Sequence, residues 1–221
     1  MKFDLEKLKD FFISFLDYVY KKRCYFCRSS NESVPMCSKC YDEMEFLNFG
    51  KLIAILGVSV YCAGYYNKNL QKLIRAIKYH NRKDLVYYQA KFMYEYWQNL
   101  GIEGDFTVIP VPLHKNRQSK RGYNHMELVA EEFCRLTGYT LNTDFILRIK
   151  DTKPQYKLNP KERAENLAGA FAIAKGVKIG GKILLMDDIC TTGSTFTEMV
   201  KTLKNHGIND IVCFATTAVK F

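Results

Sequence analysis

The chain has 221 residues, 48% of them hydrophobic, and carries a formal charge of +10 from 33 basic and 23 acidic residues. These figures exclude a disordered or low-complexity chain and leave room for one substantial core plus a small appendage. The basic excess suits anionic partners, whether small phosphates, nucleic acid or a membrane surface, and equally suits a lysine-rich composition with no such partner.

Residues 1–22 have the pattern of an amphipathic helix, with Leu5, Leu8, Phe12, Phe15, Leu16 and Val19 near helical spacing. Packing against the rest of the chain is the expected role. Contact with a membrane surface is the alternative, weakened by a mixture of charge signs on the polar side. The apolar run at 11–16 is too short and mixed for a secretory signal, and no run reaches the length of a membrane span. A cytoplasmic protein with reduced cysteines is expected.

Residues 23–45 contain Cys24-Tyr-Phe-Cys27 and Cys37-Ser-Lys-Cys40. Two C-x₂-C knuckles converge four thiolates on one tetrahedral ion, by default Zn²⁺, and four thiolates leave no open position for catalysis. A structural zinc is expected, because so small a module needs the metal for much of its folding free energy. Disulfides are the competing arrangement, disfavoured by a reducing compartment. Lys21, Lys22, Arg23, Arg28 and Lys39 around the knuckle suit either nucleic-acid contact or plain solvation.

Residues 46–221 carry the larger domain. A connecting helix, or a helix and loop, is expected over 42–56 and a strand over 58–65. A helix over 70–79 turns Leu70, Leu73, Ile74 and Ile77 inward, and Lys78 falls near its end. The next helix, 84–100, bears Tyr87, Tyr88, Phe92, Tyr94, Tyr96 and Trp97. That stripe reads as packing before it reads as a base-stacking platform. A strand over 106–111 leads into a basic loop over 113–124, with Lys115, Arg117, Lys120 and Arg121, and then a helix over 124–137. Residues 141–160 are polar and turn-rich, with the length and composition of a lid. A helix over 161–167 follows, with Asn159 as cap and Pro160 at its first position. A last strand is expected over 210–217.

The most informative run is 182–195. Ile183, Leu184, Leu185 and Met186 read as a buried strand, followed by Asp187 and Asp188, then by Thr191, Thr192, Gly193, Ser194 and Thr195. Phe196, Met199, Val200 and Leu203 then mark one face of a helix. Free N–H groups and positive dipole at a helix start, with four hydroxyls and a glycine, suit a phosphate. Carboxylates do not. Asp187 and Asp188 suit the paired hydroxyls of a ribose, or water on Mg²⁺. A helix cap would account for one or two hydroxyls but not for two acids at a strand end. The preceding Gly176-x₄-Gly181-Lys182 mimics a nucleotide-binding P-loop, yet Ile183 stands where that loop needs Ser or Thr, and the run precedes its strand.

The run over 183–195 resembles the 5-phosphoribosyl-1-pyrophosphate (PRPP) motif of type I phosphoribosyltransferases. Taken in order, the cysteine knuckles, Pro110-Val-Pro112-Leu113, Arg117, Arg121-Gly-Tyr-Asn124, Gln155, Arg163-x-x-Asn166-x-x-Gly-Ala-Phe171 and 186–195 resemble the ComF family of competence-associated proteins over about residues 20–217. The resemblance implies an α/β type I phosphoribosyltransferase fold, a mostly parallel sheet flanked by helices, with a small N-terminal zinc module. It implies PRPP held by Asp187, Asp188 and the turn Thr191, Thr192, Gly193, Ser194 and Thr195. Pyrophosphate would lie against Pro112, Leu113, Lys115, Arg117 and Arg121, with Mg²⁺ bridging its oxygens. Arg121 and Lys78 are the catalytic candidates. Lys153 and Arg163 are further candidates for closing over the site. No residue stands out as general base, and Cys190 is assigned no role. The family link extends to DNA uptake, with single-stranded DNA or an uptake helicase as partner. A PRPP-binding sensor without turnover is the competing function.

Overall fold

The computed structural model describes residues 23–30, 32, 34–47, 53–153, 158–177 and 179–219. The helix expected over 1–22, its Lys21 and Lys22, and Gln155 lie outside these residues. The chain divides into two compact units, Met1–Met44 and Glu45–Phe221.

In the first unit a tight turn at Cys24–Arg28, closed by the Arg28 N–H donating to the Cys24 carbonyl at 2.9 Å, is followed by α1, Ser38–Asp42. The second unit begins with β1, Ile53–Ile55, and β2, Val58–Tyr65, joined as a hairpin. Then come α2, Lys68–Tyr79, a 3₁₀ turn at Lys83–Leu85, and α3, Val86–Asn99. β3, Phe106–Pro110, leads to α4, Lys115–Arg121, and α5, His125–Thr137. β4, Thr140–Leu141, and β5, Ile146–Arg148, precede α6, Pro160–Leu167, and β6, Phe171–Ile173. The chain closes with β7, Lys182–Cys190, α7, Ser194–Lys204, and β8, Ile211–Ala218.

Six strands form one sheet in the order β1-β2-β8-β7-β3-β4. Every pairing is parallel except the β1–β2 hairpin. This is the mostly parallel, helix-flanked sheet that the sequence implied. Its central strands are apolar throughout because both faces are covered: Ile183 to Met186 are fully buried, as are Cys213, Phe214 and Ala215. The chain runs from β3 outward to β4 but from β7 back to β8. Right-handed crossovers in opposite directions put α5 and α7 on opposite faces. The loops after β3 and β7 therefore part from each other, opening a crevice at the carboxyl ends of two neighbouring strands.

Half of the aromatic stripe packs inward, while Tyr87 is exposed and Tyr88 and Tyr94 are half-buried. Phe92, Tyr96 and Trp97 are buried, and the Trp97 ring lies 5.2 Å from Phe214 and 5.4 Å from Phe106. Three stretches differ from the sequence expectation. Residues 42–56 hold the end of α1 and the strand β1. The basic loop over 113–124 contains α4, because His114 Nδ1 accepts from the Asn116 N–H and Gly122, at φ 83°, ends the helix in the left-handed region. The turn-rich stretch after 141 contains β5, which pairs antiparallel with β6 as a separate two-stranded ribbon. Residues 149–170 thus start and finish side by side. Among the described residues, no helix is long and apolar enough to cross a membrane.

Candidate functional site

In the first unit the sulfurs of Cys24, Cys27, Cys37 and Cys40 all lie within 4.8 Å of one another. A tetrahedron of sulfurs about 2.3 Å from a zinc ion has edges of about 3.8 Å, so the cluster fits such an ion. Backbone N–H groups of Phe26 and Cys37 both donate to Cys24 Sγ at 3.4 Å. Burial would raise the Cys24 thiol, but the backbone N–H groups of Cys27, Cys37 and Phe26, in that order, outweigh it and bring it down to about 6, favouring the thiolate a metal requires. The four cysteines can hold a structural metal such as zinc.

In the second unit a cleft of about 1080 Å³ opens over the crevice between β3 and β7. Asp187, Asp188, Thr191, Thr192, Gly193, Ser194 and Thr195 line it, as do Lys78, Leu113, Arg117, Arg121 and Arg163. Pro112 is buried and Lys115 exposed, and neither lines the cleft; Lys153 is also exposed away from it. The lining carries seven cations, Arg75, Lys78, Arg117, Lys120, Arg121, Arg148 and Arg163, against two carboxylates. Such a balance, walled by apolar groups, draws anions.

The turn after β7 is built for close approach. Gly193 sits at φ 70°, and a Cβ there would collide with Ile55 Cδ1. The Thr192 and Ser194 hydroxyls are 2.7 Å apart, at the start of α7 where backbone N–H groups lack helical partners. Arg163 Nη1, from α6, donates to Thr191 Oγ1 at 2.8 Å. The segment between the ribbon strands therefore touches the turn directly.

The two acids differ sharply. Asp188 is 5% exposed, and its Oδ2 accepts from Lys78 Nζ and from His125 Nε2, the latter at 2.9 Å. Burial alone would raise its carboxyl, but Lys78 and His125 outweigh burial and hold it well below the usual range. The same charge keeps Lys78 protonated against its own burial. Asp187 is only half-buried, and its Oδ1 accepts from the Asp188 N–H at 2.8 Å. Burial first, and the charge of Asp188 second, raise Asp187 well above the usual carboxylate range.

His125 was not among the residues singled out from the sequence. It is 3% exposed, and Arg121 Nη1 lies 3.1 Å from its Nδ1. A guanidinium can only donate, so Nδ1 must accept and the ring proton sits on Nε2, facing Asp188. His125 is therefore neutral, in agreement with burial pushing its pKa below 6.5 despite the carboxylate. Arg121 also lies over the Tyr79 ring at 5.4 Å. Asn124, buried at the head of α5, donates to the Val111 carbonyl at 3.0 Å and caps the helix through the Met126 N–H, fixing where the loop after β3 ends. The sequence signal for His125 is slight: one histidine on the apolar face of a helix, 63 residues from its carboxylate partner.

The chain is 28% identical over 206 residues to Competence protein F of Haemophilus influenzae, covering 85% of this chain and 86% of that one. It is 28% identical over 198 residues to Competence protein ComFC of Streptococcus pneumoniae, covering 86% and 82%. It is 26% identical over 146 residues to DNA utilization protein YhgH of Salmonella typhimurium, covering 64% of each chain. No family model matches the chain. Among solved structures, glutamine PRPP amidotransferase from B. subtilis, complexed with ADP and GMP, aligns with 65% of this chain and 30% of its own, at 16% identity and a TM-score of 0.43.

Proposed function

We propose that the chain is a phosphoribosyltransferase-like protein of DNA uptake that binds PRPP with Mg²⁺ in this cleft and exchanges its pyrophosphate for an acceptor. One observation carries the reading: an acid pair, a hydroxyl-lined helix start and a cation-rich second loop meet at one switch point of a parallel sheet. The turn 191–195 would hold the 5′-phosphate. Asp187 and Asp188 would hold the ribose hydroxyls, with Asp188 pre-oriented by Lys78 and His125. Arg117 and Arg121 would face the pyrophosphate, neutralising charge as the bond at C1 lengthens toward an oxocarbenium-like state. Mg²⁺ would supply further neutralisation of the leaving group. With Asp188 engaged by Lys78 and His125, Asp187 is the cleft carboxylate that would hold the ion through its water, and among seven lining cations the ligand's own phosphates would supply its other oxygens. Zinc is proposed for the four cysteines, in a structural role, and the cytoplasm as the compartment. The relatives' names support a role in DNA handling.

A specific feature favours a second reading. The cleft's histidine is locked between Arg121 and Asp188, so among the described residues it cannot serve as a free base for an acceptor. A PRPP-binding sensor, or a factor that binds single-stranded DNA, needs no base. Isotope-labelled PRPP incubated with nucleobases, amines and single-stranded DNA separates these readings. Pyrophosphate release dependent on one acceptor supports transfer, and tight binding without release supports a sensor. The double substitution Asp187→Ala with Asp188→Ala should abolish PRPP binding by calorimetry and leave metal content unchanged; unaltered PRPP affinity would refute the site.

A further inference from the structure

Arg148 lines the cleft, yet it belongs to neither of the loops that frame it. It is the last residue of β5, at the root of the segment 149–170. Its Nη2 donates to Thr152 Oγ1 at 2.5 Å, and its guanidinium lies 5.6 Å from the centre of the Phe171 ring. Its Nε is buried with no hydrogen-bond partner among the described residues, and no described carboxylate forms an ion pair with it. From the loop after β3, Arg117 Nη2 donates to the backbone carbonyl of the same Thr152, also at 2.5 Å. Thr152 is itself only 8% exposed.

Two guanidiniums from separate segments thus converge on one buried residue without an anion between them. Such an arrangement is unfavourable in itself. Burial first, and the charge of Arg117 second, lower the Arg148 pKa to about 10, with Asp187 and Asp151 acting weakly the other way. A cleft-lining guanidinium with no carboxylate partner among the described residues is what a bound oxyanion would satisfy. Guanidinium forks match phosphoryl oxygens two at a time, and two forks match two phosphoryl groups. The turn at 191–195 already provides for a single phosphate elsewhere in the cleft. We infer that Arg148 and Arg117 form a clamp for a diphosphate group, one arm on the loop after β3 and the other on the root of the 149–170 segment. This rests on the cleft being a PRPP site, and it assigns to the leaving group a residue outside the pyrophosphate loop.

The test uses the full-length protein and Arg148→Met, which keeps an apolar stem against Phe171. Calorimetry with inorganic pyrophosphate should show a loss of about tenfold or more in affinity, while ribose 5-phosphate binds within about twofold of wild type. Thermal unfolding without ligand should show Arg148→Met as stable as wild type or more so, because a half-buried cation with no carboxylate partner among the described residues has been removed. Arg148→Lys, which keeps the charge but not the fork, should bind pyrophosphate with intermediate affinity. Unchanged pyrophosphate affinity in Arg148→Met, with PRPP still bound by wild type, overturns this assignment alone. Equal loss of ribose 5-phosphate and pyrophosphate binding, together with a lower melting temperature, also overturns it by showing a scaffold role. Wild-type protein that fails to bind PRPP overturns the reading of the cleft and this assignment with it.

Discussion

Replacing His125 by Gln tests the network beneath the acid pair. Gln keeps an amide N–H able to donate toward Asp188 but cannot titrate. In the folded protein burial depresses the His125 pKa below 6.5, and the charged groups facing it are Asp188 on β7, Lys78 on α2 and Arg121 on α4. Below about pH 6.5 the unfolded chain therefore binds a proton at this residue that the folded chain refuses. Stability conferred by neutral His125 is complete above that pH and is lost as pH falls toward the depressed folded value. For one proton the slope reaches about 1.4 kcal/mol per pH unit. For a chain of this size that corresponds to roughly 3–6 °C per unit in melting temperature. Asp187 acts in the opposite sense, since its raised pKa adds stability as pH falls, but it is present in both proteins and cancels in their difference. Thermal unfolding of both proteins in half-unit steps from pH 7.5 to 5 should show curves that converge on acidification, the wild type losing the more. Parallel curves would refute the claim that His125 is held neutral between Arg121 and Asp188.

Purified protein should carry about one zinc per chain by elemental analysis, and Cys40→Ser should lose most of it while the larger unit still unfolds cooperatively. A metal-free protein folded with its cysteines paired as disulfides would contradict this. Gly193→Ala places a side chain in the left-handed region and against Ile55, so chemical denaturation should show a loss of at least about 1–2 kcal/mol. The same variant should bind ribose 5-phosphate more weakly; wild-type behaviour in both assays would mean that the turn is not tightly set.

Much of this molecule was legible along the chain because the signals are local. Phe196, Met199, Val200 and Leu203 repeat at helical spacing, and all four are buried on α7. Asn159 and Pro160 announced α6, where Asn159 and Glu162 complete a capping box. The four cysteines carry their own spacing rule. Where local chemistry was ambiguous, expectation and structure part. A run of basic residues at 115–121 looks like a loop until His114 and Gly122 are seen capping it as α4. The ribbon of β5 and β6 joins strands of three residues each, too short for any alternation to show.

The cysteine spacing and the acid pair beside a phosphate-suited turn could be read along the chain because their residues are close in sequence, whereas the parallel sheet came from the family resemblance, since its strands pair across long separations. The difference between the acids came from the fold. Asp188 meets Lys78 from 110 residues away and His125 from 63, while Asp187 accepts from the backbone N–H of the next residue. Arg148 and Arg117 likewise converge on Thr152 from positions with no shared periodicity. Charge state in a buried site is set by what the fold brings within a few ångströms, and no spacing along the chain encodes that distance.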